Sequence, residues 1–231
     1  MPFDLRTLGR IQPTGLPGRM TEADDYLHGI DGASNAFASA LWALDYMHWW
    51  AAHGLCGMDF HNNQWLTTDT FYIDAAGNYQ VNPKAYAIRA FDIGSDGQVQ
   101  PLAIANPERL NLTAYAVRSA KHLYVTIINR TYGDSARSAA LTIVPGGAAP
   151  AHAAVMFLRA PNNDPGAMQR ITLGGGAIAN DRPWQGQWTA LEPDAAGHCV
   201  VTVPATSAGV VELSWPGADE NRVTFCNVPP Y

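Results

Sequence analysis

The segment from Thr21 to Asn63 constrains this chain more than any other. It runs in the order carboxylate, loop, helix, short apolar strand, polar loop. Thr21-Glu22-Ala23-Asp24-Asp25-Tyr26 closes a short strand near Glu22, residues 34 to 53 read as helix, and Leu55 to Phe60 read as a second strand. A crossover this short and helical imposes parallel pairing on the strands it joins. Glu22 and His61 are then expected side by side, at the C-terminal ends of adjacent parallel strands. That is where (β/α) barrels present their functional groups.

The helix is itself informative. Ser34 is expected as its N-cap, because a serine hydroxyl can accept from a free N–H of the first turn. Gly54 fits the left-handed position that ends helices. Phe37, Leu41, Leu44, His48 and Ala51 mark one face, and Ala36, Ala40, Ala43, Met47 and Trp50 mark another. A helix apolar on nearly all sides must be covered on nearly all sides. Asp45 and His48 interrupt the run, so it reads as a buried helix and not a membrane span. Asp45 is expected in helix packing or an interdomain hydrogen bond. Where barrel strands do not cover the helix, Trp42, Trp49 or Trp50 should stay partly exposed, and self-association or a partner is expected there.

Further along, Thr70 to Ile73 and Tyr79 to Val81 read as a hairpin around Ala76-Gly77-Asn78, and Pro83 opens a helix through Phe91. From about residue 98 the texture changes. Val99 to Ile104, Thr113 to Arg118, Leu123 to Asn129, Ala139 to Val144, Ala154 to Leu158, Trp188 to Leu191, Val200 to Val203 and Gly209 to Trp215 are short β-rich runs split by Gly, Pro, Asn and Asp. Such a series reads as an antiparallel β-sandwich. Within it, Leu123 to Ile128 is apolar on both alternating faces, as a central strand would be. Residues 164 to 180 read as a loop. Its Gly174-Gly175-Gly176 lacks the Lys-Ser/Thr and helix of a phosphate-binding loop. The expected class is therefore α+β, mainly β, with residues 1–97 as the last two β/α units of an incomplete barrel. Residues 98–215 form the sandwich and 216–231 a tail.

Composition excludes several functions. With 47% hydrophobic and 15% charged residues in 231, the chain is globular and not disordered. A net charge of -6 and no Lys/Arg cluster argue against nucleic acid. Cys56, Cys199 and Cys226 lie far apart without CxxC spacing, so no metal site is expected and buried, inert thiols are. Met1 to Arg6 does not read as a signal peptide, and the compartment stays open.

The run from Thr21 through Phe37 to Asn63 resembles the end of the catalytic barrel of glycoside hydrolase family 79, the β-glucuronidase and heparanase-like retaining enzymes. Asn111-Leu112-Thr113-Ala114-Tyr115-Ala116 and His122-Leu123-Tyr124-Val125-Thr126-Ile127-Ile128-Asn129 are similar to that family's C-terminal β-domain. The resemblance implies retaining hydrolysis of a β-glycoside, perhaps a glucuronide, without metal or organic cofactor. It places the nucleophile at Glu22, with the acid/base carboxyl on a barrel strand upstream of Met1, so that this chain alone is expected to be inactive. Tyr26, His28, Gly29, His61, Asn62, Asn63 and Trp65 would then contact the sugar, and carbohydrate would be the ligand once the barrel is complete. Relatives often carry an aromatic residue and two glycines after the nucleophile; here Tyr26-Leu27-His28-Gly29-Ile30 keeps one glycine. Two further acids, Asp24 and Asp25, crowd Glu22 and call for a cation, for which Arg19 is the candidate. The competing expectation is a non-catalytic carbohydrate-binding or accessory module. Exposed Trp184 and Trp188 on one sheet would favour it.

Overall fold

The structure is a computed structural model that describes residues 9–10, 12–26, 28–63 and 67–216. It is mainly β with two long helices. Strand β1 (Gly18–Ala23) leads to helix α1 (Phe37–Ala52), which returns to strand β2 (Leu55–Phe60). As the short crossover requires, β1 and β2 pair in parallel, with Met20 opposite Met58 and Ala23 opposite Phe60. They form a sheet of two strands, and no closed barrel is present among the described residues. The expected hairpin follows as β3 (Phe71–Ile73) and β4 (Tyr79–Val81). The Asp74 carboxylate accepts from the Ala76 and Asn78 N–H groups to close its turn. Helix α2 (Pro83–Gly94) comes next, with proline in its first turn.

The remaining strands are β5 (Gln98–Gln100), β6 (Leu112–Arg118), β7 (His122–Asn129), β8 (Ala139–Ile143), β9 (His152–Arg159), β10 (Thr172–Leu173), β11 (Thr189–Leu191), β12 (Cys199–Val203) and β13 (Ser207–Ser214). Seven of them make one antiparallel sheet in the order β10-β9-β13-β7-β6-β5, with β11 also on β9. Strands β8 and β12 pair separately. The expected strand from Val99 to Ile104 is cut to β5, and residues 101 to 106 carry no strand. The tail expected at 216–231 lies outside the described residues except for Pro216.

The large sheet is buried on both faces, which explains why β7 is apolar on both. Ile128, Met156, Leu158, Ala208 and Val210 pack against Phe37, Leu41 and Leu44 of α1 and Ala87 and Ala90 of α2. The opposite set, Val125, Ile127, Val155, Val211 and Leu213, packs against Cys199, Val201 and Val203 of β12. So α1 is covered largely from within the chain: Trp50 is buried, while Trp42 and Trp49 remain half-buried. Cys199 lies in this second core and burial pushes its thiol up; Cys56 donates to the Gly18 carbonyl. Cys226 lies outside the described residues.

Two expectations about α1 resolve differently. Ser34 does not cap it. The helix starts at Phe37, and the Phe37 and Ala38 N–H groups donate to the carbonyls of Ala167 and Pro165. A loop 130 residues later in the chain supplies the acceptors, and the Ser34 hydroxyl instead accepts from Ile30 N–H. Asp45 does join α1 to the large sheet. Its carboxylate accepts from the Thr113 hydroxyl and the Tyr115 hydroxyl and pairs with Arg130.

His48 sits fully buried on α1, stacked on Tyr115 with ring centroids 5.1 Å apart, and burial lowers its pKa to about 3. The folded state therefore holds it neutral, while the unfolded chain binds a proton below the ordinary value of 6.5. Stability present above that value is lost as pH falls toward the folded value. Between about pH 7.5 and 5 the loss from this residue should be roughly 2 kcal/mol. Thermal melts of the wild type and His48→Phe across that range test it: the variant should be flatter by that amount, and parallel curves would contradict the assignment.

Candidate active site

The parallel register of β1 and β2 brings their C-terminal ends together. The His61 N–H donates to the Ala23 carbonyl at 3.2 Å, which continues the pairing one residue past the end of β2. The His61 Nδ1 atom then lies 2.9 Å from Glu22 Oε1 and 3.7 Å from Asp24 Oδ2. An ionised carboxylate accepts only, so Nδ1 carries the proton and donates to Glu22. The Glu22 side chain is 67% exposed and reaches open solvent, whereas that of Asp24 is only 14% exposed.

Arg19 does not compensate these acids. Its guanidinium pairs in two-pronged fashion with Asp59, across from β1 to β2. The register explains the miss: Arg19 stands opposite Gly57, and Asp59 lies two residues further along the same face of β2. The acids face the His61 ring and a cation that sequence reasoning passed over, Lys84. Lys84 is fully buried in the first turn of α2. Its ammonium donates to the Thr68 carbonyl at 2.5 Å and the Thr68 hydroxyl at 2.8 Å, and lies over the Phe60 ring. The Thr68 hydroxyl faces Asp25 Oδ1 at 3.0 Å and Asp24 Oδ1 at 3.3 Å. The available signal was a lysine in phase with the buried Ala87 and Ala90 on one face of α2.

The acids split by environment. Burial raises the pKa of Asp24, against the lowering pull of His61, Lys84 and Thr68. Burial acts upward on Asp25 too, but hydrogen bonds from Ser39 and Thr68, together with Lys84, hold it below the ordinary value. Asp69, under the same loop, accepts from Asn63 N–H at 2.6 Å and is raised by burial. Burial lowers Lys84, opposed by Asp25, Asp24 and Asp69.

The other expected sugar contacts fall into two groups. Tyr26 and His28 are exposed beyond the end of β1, and His28 has a positive φ of 65°. Gly29 has φ 76°, and a Cβ there would come within 2.4 Å of the Thr67 hydroxyl, so glycine allows the 26–29 turn to rest on the loop that carries Thr68. Asn62 is committed to the fold: its Oδ1 accepts from the Thr70 and Phe71 N–H groups and anchors the hairpin. Asn63 meets Asp69 through its backbone. Trp65 lies outside the described residues, as does Leu27. On the sheet side, Trp184 is half-buried and donates to the Leu173 carbonyl, with Arg89 over its ring, so only Trp188 is exposed as the binding-module reading requires.

Glu22, Asp24 and His61 offer one ligand atom each, all within 4.8 Å of one another. That spacing suits a divalent cation, but the Nδ1–H to Glu22 hydrogen bond satisfies two of the three atoms without one. Beside the site, an open groove of about 600 Å³ runs along the edge of β2 that has no strand partner among the described residues. Met47, Trp50, Leu55, Met58, Ile88 and Phe91 line it.

No family model matches the sequence, and no curated protein matches it. Solved structures do match. A 4-O-α-L-rhamnosyl-β-D-glucuronidase from Fusarium oxysporum 12S superposes with a TM-score of 0.69 at 18% identity, over 90% of this chain and 45% of that one. A GH51 arabinofuranosidase from Xanthomonas axonopodis pv. citri gives 0.64 at 13% identity, over 88% and 42%. The family 30 subfamily 8 xylanase Xyn30A from Clostridium acetobutylicum gives 0.59 at 12%, over 88% and 44%. This chain spans less than half the length of each. The likeness at these identities is one of architecture: the chain has a glycoside hydrolase-like fold.

Proposed function

We propose that this chain carries the nucleophile half of a retaining β-glycosidase site, of the family 79 type, with residues 1–97 as the last two β/α units of a barrel and 98–215 as its β-sandwich domain. The observation that supports this most is the Glu22–His61 pair at the C-terminal ends of two parallel strands. In that reading His61 Nδ1–H holds Glu22 Oε1 and leaves the other carboxylate oxygen to attack the anomeric carbon. The general acid comes from further barrel strands, and the edge of β2 left without a partner among the described residues, with its apolar groove, is where one of them docks. A β-glucuronide is the substrate class, by the sequence resemblance and by the activity named for the Fusarium protein.

Chemical-shift mapping with methyl β-D-glucuronide at millimolar concentration tests the reading. Perturbations should centre on Glu22, Asp24 and His61. Perturbations centred on Trp188 instead would replace it with the accessory-module reading.

A further inference from the structure

On one face of the β3–β4 hairpin lies a pocket of about 440 Å³ that shares no residue with the Glu22 site. Its volume falls within the range of small-ligand pockets, about 300–1,000 Å³. The hairpin supplies Tyr72 and Gln80, the first turn of α2 supplies Tyr86, and the loop before β10 supplies Met168 and Arg170. Tyr72 stands opposite Gln80 in the register, so both side chains share the pocket face, while Phe71, Ile73, Tyr79 and Val81 share the other. Tyr86 is only 6% exposed, and its hydroxyl accepts from the Ile178 N–H at 3.0 Å. The hydroxyl's own hydrogen meets no acceptor among the described residues. Burial raises the Tyr86 pKa, so the group remains a donor.

Arg170 is the unusual member. Its guanidinium has neither an ion pair nor a hydrogen-bond partner among the described residues. Its backbone has φ 59°, a left-handed conformation that a non-glycine residue holds only where its surroundings impose it. They do so here. Ile171 is 2% exposed in the core, and Pro165 and Ala167 of the same loop accept from the first N–H groups of α1. The loop is thus fixed on both sides of a strained residue whose charge makes no polar contact within the fold, a combination that points to a ligand.

We propose that this pocket binds a hexuronate unit of an acidic glycan, with the uronate carboxylate on Arg170 and the sugar ring against Tyr72. A free guanidinium matches a carboxylate with two parallel hydrogen bonds. An exposed aromatic ring among a few polar groups suits the apolar face of a sugar. The Tyr86 hydroxyl donates to one sugar oxygen. Gln80 accepts from a sugar hydroxyl through Oε1, because its Nε2 is held by Asp74 Oδ2 at 2.9 Å. Asp74 also lines the pocket, but the Ala76 and Asn78 N–H groups and Gln80 offset its charge. The proposal does not depend on the reading of Glu22 as nucleophile.

Titration of the chain with sodium D-glucuronate, and with D-glucose as the neutral counterpart, tests this by NMR. Millimolar glucuronate should shift the Gln80 side-chain amide, the Tyr72 ring and the Arg170 Nε–H in a saturable way. Glucose should do so about tenfold more weakly, and Arg170→Asn should weaken glucuronate by about tenfold. Asparagine tolerates the left-handed backbone, so the melting temperature of Arg170→Asn should not fall. Tyr72→Ala should weaken binding several-fold, and it decides alone if Arg170→Asn does not fold. Glu22→Gln should leave these shifts unchanged. Absence of shifts at Gln80 and Arg170, equal binding of glucose, or wild-type affinity in either folded pocket variant overturns the proposal. The signals read here belong to the hairpin and the 168–171 loop, so failure is separate from failure of the mapping at Glu22 and His61.

Discussion

The isolated chain should leave an aryl β-glucuronide unhydrolysed. Retaining hydrolysis needs a second carboxyl about 5 Å from the nucleophile, on the far side of the scissile bond. The carboxyl beside Glu22 is Asp24, and both face the same His61 nitrogen, at 2.9 and 3.7 Å. Two acids turned on one imidazole cannot flank a glycosidic oxygen. Asp25 and Asp69 lie beneath the site, bonded to Ser39 and to the Asn63 N–H. General acid catalysis contributes about a hundred- to ten-thousandfold, and turnover should fall by at least that factor without it. A nitrophenyl leaving group needs little protonation and makes the assay lenient. Turnover that disappears in Glu22→Gln would show that the chain supplies its own acid, and would overturn this expectation.

Asp45→Ala should cost the chain a large share of its stability. The Asp45 side chain is 14% exposed and accepts from Thr113 and Tyr115 while pairing with Arg130. Burial, then Asp45 itself, pushes the Tyr115 hydroxyl well above its ordinary pKa, so this hydroxyl remains a donor. Removing the carboxylate strands a partly buried guanidinium and two hydroxyls between α1 and the large sheet. Breaking such a pair from one side costs about 3 kcal/mol, at the lower end of the range because Arg130 keeps some solvent. For a chain of this size that is a fall in melting temperature of roughly 6–12 °C. A double substitution of Asp45 and Arg130 to apolar residues should recover part of it. A change under about 1 kcal/mol in Asp45→Ala would mean that the network contributes little.

Local chemistry was legible in the residues. The parallel pairing of β1 and β2 followed from the length of the helical crossover, and Pro83 and the Ala76-Gly77-Asn78 turn marked α2 and the hairpin. The two-faced apolar alternation of Leu123–Ile128 marked a central strand, which is how β7 stands, between β13 and β6. The adjacency of Glu22 and His61 followed from the same crossover.

Partner choice among charged and capping groups was not legible, because it is settled by segments far apart in sequence. Ser34 had the right chemistry for a cap, but the carbonyls of Pro165 and Ala167 reach the helix end first. Arg19 had the right charge for Glu22, but its place opposite Gly57 sets it against Asp59 on the same face of β2. Lys84 drew no notice, since a lysine in a helix is ordinarily solvated; only packing α2 against the loop carrying Thr68 buries it beside three acids. The sequence by itself determined the period, direction and order of the elements, which depend on neighbours within a few residues. Tertiary structure alone decided which acid meets which cation. Over such short distances the strength of a charge contact depends on its separation and burial, and neither exists before the chain has folded.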